Sequence, residues 1–280
     1  METLKLAFYG KGGIGKSTIA ANVSALLAKQ GFKVLHIGCD PKADSTRLLT
    51  EQRIPTILQQ LDYLKEPTRE DLVFSGKFGV ACVEAGGPVA GCGCAGLGIT
   101  TAIDELQSLG IFDNRWDVIV YDVLGDVVCG GFSVPMRQHY VDRVYIVTSP
   151  NYMALYAANN ILHGVCRYSN KSFNLCGGII ANHINCDEDV ELINRYAEVV
   201  KVPVVLKLED DKYLQLADFR RDLFVLDSST NGKNKQNIKN FVENLLNKRD
   251  SYMPVPLDLC AMETFGQDIV RSIYERKNFC

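Results

Sequence analysis

The sequence predicts an α/β protein of the P-loop NTPase class, with a mostly parallel, doubly wound sheet and helices on both faces. Two observations support this prediction. Short, continuously apolar runs alternate with segments of helical periodicity, which is typical of a parallel sheet buried on both faces. A glycine-rich turn ending in Lys-Ser joins the first apolar run to the first helical segment.

Seven apolar runs have the length and composition of strands: LKLAFYG, KVLHIG, GVACVEA, WDVIVYDV, RVYIVTS, CGGIIAN and VPVVLKL. Helical periodicity occurs between them, over Lys16–Gln30, Ile99–Leu109, Met153–Tyr168, Glu188–Val200 and Gln236–Leu246. The alternation stops after about residue 248, where two prolines follow. We therefore expect one ATPase domain over residues 1–250, and a tail over 251–280 that packs on the same domain or on a partner subunit.

The composition narrows the function classes. The chain has 280 residues, of which 47% are hydrophobic and 22% are charged, and its net charge is -3. A broad basic surface for nucleic acid is not expected from this balance. Neither a signal-peptide pattern nor a long apolar run is evident, so we expect a cytoplasmic protein without a membrane partner. Ten cysteines in such a protein favour metal binding or catalysis for some of them.

Residues 10–17, GKGGIGKS, match the phosphate-binding pattern G-x-x-x-x-G-K-[ST] between a strand and a helix. Glycines let backbone N–H groups turn toward phosphate oxygens, and the helix N-terminus adds partial positive charge. Lys16 is expected at the β- and γ-phosphates, and Ser17 at Mg²⁺. The expected nucleotide contacts in this segment are Gly10, Lys11, Gly12, Gly13, Ile14, Gly15, Lys16, Ser17 and Thr18.

Carboxylates follow two of the predicted strands. Asp40 and Asp44 lie in GCDPKADS, with Lys42 between them, where they are suited to hold a metal-bound water or to orient the attacking water. Asp122 ends the strand WDVIVYD, as a Walker B aspartate does. Asp126 follows four residues later, so a segment that senses the γ-phosphate would move Cys129 directly.

The motifs GKGGIGKST, GCDPKADSTRL, VEAGGP, GCAG, GITTAI, YDVLGDVVCGGF and YAANNI together resemble the nitrogenase iron protein, or dinitrogenase reductase, family over roughly residues 4–248. The resemblance implies a homodimer that binds MgATP or MgADP, with Lys11 reaching the partner's nucleotide; a solvated lysine is the alternative. It implies that Cys94 and Cys129 ligate one [4Fe–4S] cluster shared by the two subunits. Two thiolates per chain and a two-fold axis supply the four that a cubane cluster needs.

Other positions are assigned only through this resemblance. Asn182 and Gln215 match residues that contact the base, and Asp211 matches a nucleotide-contacting aspartate, although LEDDKY departs from the usual pattern. Cys92, where the family has an apolar residue, is interpreted as a spare thiol. Leu97 stands where the family usually has an arginine that helps to dock the catalytic partner and is a site of ADP-ribosylation.

The predicted function is an ATP-dependent iron–sulfur reductase that passes low-potential electrons to a nitrogenase or nitrogenase-like metalloprotein, with ferredoxin or flavodoxin as donor. Lys11, Lys16, Asp40 and Asp126 are the expected catalytic residues. Two alternatives stay open: the reductase of a nitrogenase-like system that acts on a tetrapyrrole or a sulfur compound, and a non-redox ATPase of the deviant Walker A class. The cysteines in their glycine-rich contexts argue against the second.

Overall fold

A computed structural model describes residues 2–87, 95–113, 116–125, 131, 133–137, 140–170, 173–227, 232–247 and 250–274. Within these ranges the backbone forms one eight-stranded sheet of order β3-β4-β2-β5-β1-β6-β7-β8, parallel except for β3 at one edge. The strands are β1 Leu4–Gly10, β2 Val34–Cys39, β3 Phe74–Ser75, β4 Ala81–Glu84, β5 Val118–Leu124, β6 Arg143–Thr148, β7 Cys176–Ile184 and β8 Val204–Glu209.

Helices cover both faces of the sheet. They are α1 Lys16–Lys29, α2 Ile57–Tyr63, α3 Arg69–Leu72, α4 Ala95–Ser108, α5 Tyr152–Tyr168, α6 Asp187–Val199, α7 Lys212–Arg220, α8 Lys233–Asn247 and α9 Leu259–Ile269. Short 3₁₀ turns occupy Ser45–Leu48, Lys77–Gly79, Val134–Met136 and Phe224–Leu226, and a π-helical turn, Val270–Tyr274, follows α9. No helix in these described ranges has both the length and the apolar character needed to cross a bilayer.

The central strand β1 shows why the predicted strands are continuously apolar. Leu6 and Phe8 pack into the core beneath α1 and α8, whereas Ala7 and Tyr9 pack into the opposite core beneath α4, α5 and α6. Successive side chains of a strand point to opposite faces, so a strand covered on both sides must be apolar at every position. The predicted fold class, a doubly wound α/β sheet, is confirmed.

Element limits differ from the sequence prediction at one functionally important place. Helix α4 begins at Ala95 rather than at the predicted Ile99, so it starts at the residue after Cys94. Because glycine has a low helix propensity, Gly96 and Gly98 led the sequence pattern to predict a later start for this helix. Tertiary contact overrides that propensity: an added Cβ at Gly98 would lie 2.8 Å from Leu58 of α2.

The described part of the tail, up to residue 274, contacts β7, α5 and α6 of its own chain. Tyr252 forms an isolated bridge with Cys176 of β7, and the Asn159 side chain both donates to the Leu257 carbonyl (2.7 Å) and accepts from its N–H (2.8 Å). The ring of Phe265 in α9 stacks edge-to-face with Tyr196 at 5.9 Å. Through these contacts, residues 250–269 pack against α5, α6 and the sheet.

β1 lies between β5 and β6, with Gly10 in register with Leu124 on one side and Val147 on the other. The chain winds outward in opposite directions from this point. A crevice forms where the winding reverses, at the carboxyl ends of the strands, and this is where open α/β sheets bind their ligands.

Candidate functional site

The conformation of the loop between β1 and α1 is fixed by contacts with Asn182 of β7. Gly15 adopts a left-handed backbone, φ 86°, immediately before α1, and no side chain caps the helix. The Asn182 amide donates to the Ile14 carbonyl at 2.9 Å, and an added Cβ at Gly15 would lie 2.4 Å from that amide nitrogen. Glycine is therefore required at residue 15 by backbone geometry and by space. The uncapped N–H groups of α1 remain available to an anion.

A pocket of about 400 Å³ opens above this loop. The predicted residues that line it are Lys11, Gly12, Gly13, Gly15, Lys16, Ser17, Thr18, Asp40, Lys42 and Asp44. Five lining residues were not predicted: Ser45, Arg47, Leu48, Leu124 and Asp218. The lining does not include the predicted Gly10, Ile14, Asp122, Asn182, Asp211 and Gln215. The pocket is large enough for the phosphate part of a nucleotide and carries both charge signs.

A buried ion pair lies beneath the pocket, with Lys16 in the pocket lining and Asp122 behind it. The Lys16 ammonium donates to a carboxylate oxygen of Asp122 and lies 3.3 Å from the Ser17 hydroxyl. Ser45 donates to the other Asp122 oxygen at 2.5 Å. Burial alone would raise the pKa of Asp122, but the Lys16 charge and the hydrogen bonds outweigh it and hold that pKa below its ordinary value. Asp122 therefore stays ionised, with both of its oxygens already oriented by donors.

A fully buried histidine continues this network, and sequence reasoning missed it. His36 in β2 places Nε2 2.8 Å from the Ser45 hydroxyl and Nδ1 2.8 Å from the Ser24 hydroxyl. Since the Ser45 proton goes to Asp122, the Ser45 oxygen must accept from His36 Nε2–H, and Nδ1 must accept from Ser24. Burial lowers the pKa of His36 from 6.5 to about 4, so the ring is neutral. The signal was available as the single histidine inside the otherwise apolar stretch of the strand KVLHIG.

Asp40 and Asp44 lie on opposite sides of a tight turn. The Asp40 carboxylate accepts from the Lys42 backbone N–H at 2.9 Å and is almost fully buried, while Ala43 has a positive φ of 51°. Asp44 is exposed at the pocket wall. Its pKa is raised by desolvation first and then by the negative charges of Asp40 and Asp122. Two carboxylates near one another beside a phosphate loop suit a site that receives a cation.

The residues predicted to contact the base form a separate cluster beyond the pocket. Gln215 donates to Asp210 at 3.1 Å, and His183 lies 3.3 Å from the same carboxylate. Asp211 caps α7 by accepting from the Tyr213 N–H at 2.8 Å. The Asn182 amide nitrogen is occupied by the phosphate loop, as described above. The base contacts of Asn182, Asp211 and Gln215 stay predictions.

Cys92, Cys94, Asp126 and Cys129 lie outside the described residues, but the residues that flank them are informative. An added Cβ at Gly131 would lie 2.0 Å from the Gly96 carbonyl oxygen, so the two backbones are in direct contact. Cys94 and Cys129 each precede this contact by two residues, at most about 7 Å of extended chain. Thiolates are the ligands that iron–sulfur clusters use. The donor set and this close approach suit a cluster shared with a second copy of the chain.

The same segment touches the phosphate loop at its other end. An added Cβ at Gly125 would lie 2.4 Å from the carbonyl carbon and oxygen of Gly10 and 2.8 Å from the Lys11 nitrogen. The chain that runs from Asp122 toward Cys129 is therefore packed on the backbone that begins the phosphate loop. A side chain at residue 125 would not fit against this backbone, so glycine is required there.

The sheet, the glycine-rich loop and the pocket define a protein with the P-loop NTPase fold. Among solved structures, the MinD cell division protein of Aquifex aeolicus is similar with a TM-score of 0.67 and 20% identity, over 91% of this chain and 100% of that one. Cobyrinic acid a,c-diamide synthase from Mycobacterium smegmatis, solved with an ATP analog and magnesium, is similar with a TM-score of 0.65 and 18% identity, over 87% of this chain and 94% of that one. At these identities the likeness concerns the fold.

A narrower assignment comes from sequence comparison. The model of the 4Fe-4S iron sulfur cluster binding proteins, NifH/frxC family, matches residues 4–271. A nitrogenase iron protein of Methanococcus voltae is 41% identical over 97% of this chain and 99% of that protein. Nitrogenase iron protein 2 of Paenibacillus durus is 38% identical over 97% of this chain and 93% of that protein. The chain therefore belongs to the NifH/frxC family, which confirms the predicted resemblance and an ATP-hydrolysing oxidoreductase of the nitrogenase reductase kind.

Proposed function

We propose that this protein is an ATP-dependent reductase that delivers low-potential electrons to a nitrogenase or nitrogenase-like catalytic metalloprotein. It acts as a homodimer with one [4Fe–4S] cluster between its subunits, and ferredoxin or flavodoxin is its electron donor. Residues 1–250 form the ATPase domain and residues 251–280 its tail. A cytoplasmic location, without nucleic-acid or membrane partners, completes the proposal.

The observation that carries this proposal is the packed backbone of Gly125 on Gly10 and Lys11. In this proposal the segment between Asp122 and Cys129 is a short link that transmits movement of the phosphate loop to Cys129. At the far end of the link, Gly131 is packed on Gly96 beside Cys94. Because backbones are in contact at both ends, we expect a change at the nucleotide to reach both cysteine segments.

The nucleotide half of the cycle uses groups that line the pocket or lie beneath it. Lys16 exchanges its Asp122 partner for the β- and γ-phosphates of ATP, and Ser17 provides a hydroxyl for Mg²⁺. Asp40 and Asp44 orient water and the metal's hydration shell, and Lys11 reaches the nucleotide of the other subunit. Release of Asp122 from Lys16 leaves that carboxylate held by the Ser45 and Ser17 hydroxyls, and Asp126 passes the change along the link. Hydrolysis thereby acts as a timing step for the cysteine segments.

Cys94 and Cys129 of both subunits would hold the cluster. When bound, the cluster supplies one electron at low potential, tuned by hydrogen bonds and by solvent exposure. Helix α4 begins directly after Cys94, and its N-terminal N–H groups favour negative charge at that position. Cys92 is not required in this arrangement.

Iron content and single cysteine variants test the ligand assignment. The anaerobically purified protein should contain about four iron atoms per dimer. Cys94→Ala and Cys129→Ala should lose the visible chromophore and most of the iron while still binding MgATP. Cys92→Ala is the matched control, because it removes a neighbouring thiol and should retain the chromophore. A chromophore lost in Cys92→Ala and retained in Cys94→Ala would overturn the assignment.

One observation favours a partner other than a standard nitrogenase. Leu97 is 65% exposed, one residue after the Gly96 contact and three residues after Cys94. An arginine there would offer five donors and a fixed charge, whereas leucine offers only apolar contact. We propose that Leu97 lowers the fit to a standard nitrogenase. Substrate reduction by a purified nitrogenase component, with this protein as sole reductase, should be weak and should improve in Leu97→Arg; full activity of the parent would refute this.

A further inference from the structure

A buried carboxyl group connects the nucleotide site to the other cysteine segment. Glu84 ends β4 and is 1% exposed. Its Oε1 accepts from the Thr46 backbone N–H at 2.6 Å and from the Thr46 hydroxyl at 2.8 Å. Thr46 follows Ser45, whose hydroxyl holds Asp122. Glu84 is therefore bonded to the turn that carries the acidic residues of the pocket.

Glu84 has a second oxygen that makes no such bond. Oε2 is buried and has no hydrogen-bond partner in the part of the chain that the structure describes. It lies against Gly38, where an added Cβ would be 2.0 Å away. A buried polar atom without a partner is costly, so this carboxyl group is retained at the expense of stability. Because Glu84 does not serve stability, we look for its role in the two segments that it joins.

The chain continues from Glu84 to one end of the loop that contains Cys94. We call Gly86, Gly87 and Gly98, where the two ends of this loop meet, the base of the Cys94 loop. Two residues after Glu84, an added Cβ at Gly86 would be 2.5 Å from the Thr56 hydroxyl oxygen, and at Gly87 one would be 2.5 Å from Pro41. Gly98 of α4 returns to the same place, with its added Cβ 3.1 Å from the Gly86 carbonyl oxygen. The loop that contains Cys94 is thus closed at its base, and the base rests on the residue after Asp40.

We propose that Glu84 is a positioning residue that couples the Asp40–Thr46 turn to the base of the Cys94 loop. It gives the Cys94 side its own connection to the nucleotide, separate from the Gly125 link to Cys129. When nucleotide shifts the turn, the two Thr46 hydrogen bonds shift the end of β4, and Pro41 moves with Gly87. This inference rests on the proposed function and adds a route of coupling to it.

The test compares three variants in the iron-loaded dimer. Glu84→Leu keeps the volume and removes both bonds to Thr46. Glu84→Gln restores a carbonyl acceptor for the Thr46 N–H. Cys82→Ala is the matched control, since it shortens a buried side chain of the same strand, two residues earlier, without touching Thr46. MgATP affinity should stay near that of the parent in all three, because Glu84 does not line the pocket.

Two readouts are measured with and without MgATP: hydrogen exchange of peptides spanning 85–100 and 123–131, and the rate of iron release to a chelator. In Glu84→Leu the MgATP-induced change in exchange over 85–100 should shrink clearly, while that over 123–131 persists. The MgATP effect on iron release should shrink roughly fivefold or more, in line with a typical coupling between two sites. Glu84→Gln should recover at least part of both effects, and Cys82→Ala should match the parent.

The outcomes separate the two proposals. A parent-like exchange response over 85–100 in Glu84→Leu would overturn the role of Glu84, and so would the absence of any MgATP response over 85–100 in the parent. Iron release that is independent of MgATP in the parent would instead contradict the proposed function. If Glu84→Leu does not fold, Thr46→Val removes the 2.8 Å hydroxyl bond to Glu84 at a residue outside the pocket lining and should give part of the same loss.

Discussion

His36 provides the sharpest test of the buried network, because burial gives it a pKa far from its ordinary value. The ring is fully buried, it contacts two serine hydroxyls, and its pKa is lowered from 6.5 to about 4. The unfolded chain binds a proton at this histidine below about pH 6.5, whereas the folded chain does so only below about pH 4. The free energy of unfolding therefore falls as the pH drops through this window.

The size of the effect follows from the two pKa values. At pH 7 both states are largely neutral at His36, and the loss is close to zero. At pH 5 the unfolded chain is almost fully protonated there and the folded chain is not, which lowers the free energy of unfolding by about 2 kcal/mol. His36→Gln removes this loss, because glutamine does not titrate and can donate to Ser45 and accept from Ser24.

Urea unfolding of the parent and of His36→Gln at pH 7 and pH 5 measures the effect as a double difference. The parent should lose about 2 kcal/mol more than the variant between the two pH values. His36→Leu serves as a second comparison: it also abolishes the pH term, but it leaves the Ser24 and Ser45 hydroxyls short of partners, at a cost of about 1–3 kcal/mol at pH 7.

Nitrogen NMR of protein labelled at its four histidines gives an independent reading. The resonances that vanish in His36→Gln should report a neutral ring protonated at Nε2, with no titration between pH 8 and pH 5. A ring that titrates near 6.5, or that carries its proton at Nδ1, would refute the assigned direction of the hydrogen bonds from Ser24 through Ser45 to Asp122.

Two further predictions concern the phosphate loop. Lys16→Gln should abolish tight MgATP binding in calorimetry. It should also lower the free energy of unfolding by about 3–5 kcal/mol, since it leaves the Asp122 carboxylate buried without its ion partner. Lys11→Gln, at an exposed position, should leave the unfolding midpoint unchanged, and equal losses in the two variants would contradict the buried pair. Gly125→Ala should cost about 1–3 kcal/mol through overpacking against the loop backbone and should weaken nucleotide-dependent iron release. Gly12→Ala is its matched control for stability, because an added Cβ at Gly12 meets nothing within 4 Å; equal unfolding midpoints in these two variants would show that the contact is not tight.

Much of the fold could be predicted from local pattern. Each of the seven predicted apolar runs corresponds to a strand, and the glycine-rich turn lies at the predicted junction of β1 and α1. These features are local: a strand buried on both faces needs apolar residues throughout, and a phosphate loop needs glycine where φ is positive. The edge strand β3 and the helices α2, α3, α7 and α9 were not predicted. Three of these elements, β3, α2 and α3, have only two to seven residues, which carry too little periodicity.

The site was predicted less completely, for a physical reason. Motifs mark residues that contact a ligand, and Lys16, Ser17, Asp40 and Asp44 were found by their motifs. The residues that hold those groups in place were not singled out: His36 lies in no motif, and Glu84 and Arg47 lie within VEAGGP and GCDPKADSTRL without a role assigned to them. His36 and Glu84 are single polar residues in apolar strands, and Arg47 and Asp218, which are 171 residues apart, meet at the pocket edge through a 3.2 Å hydrogen bond.

The sequence by itself determined the class of fold, the phosphate loop and the family, because each depends on residues that are close together in the chain. Only the tertiary structure decided which distant backbones touch: Gly125 on Gly10, Gly131 on Gly96, and Gly98 on Gly86. A glycine in a sequence predicts freedom of the backbone, but it does not indicate which distant segment will contact it. Close approach is a property of two segments at once, and chain folding brings those segments together through the packing of buried side chains elsewhere in the sheet.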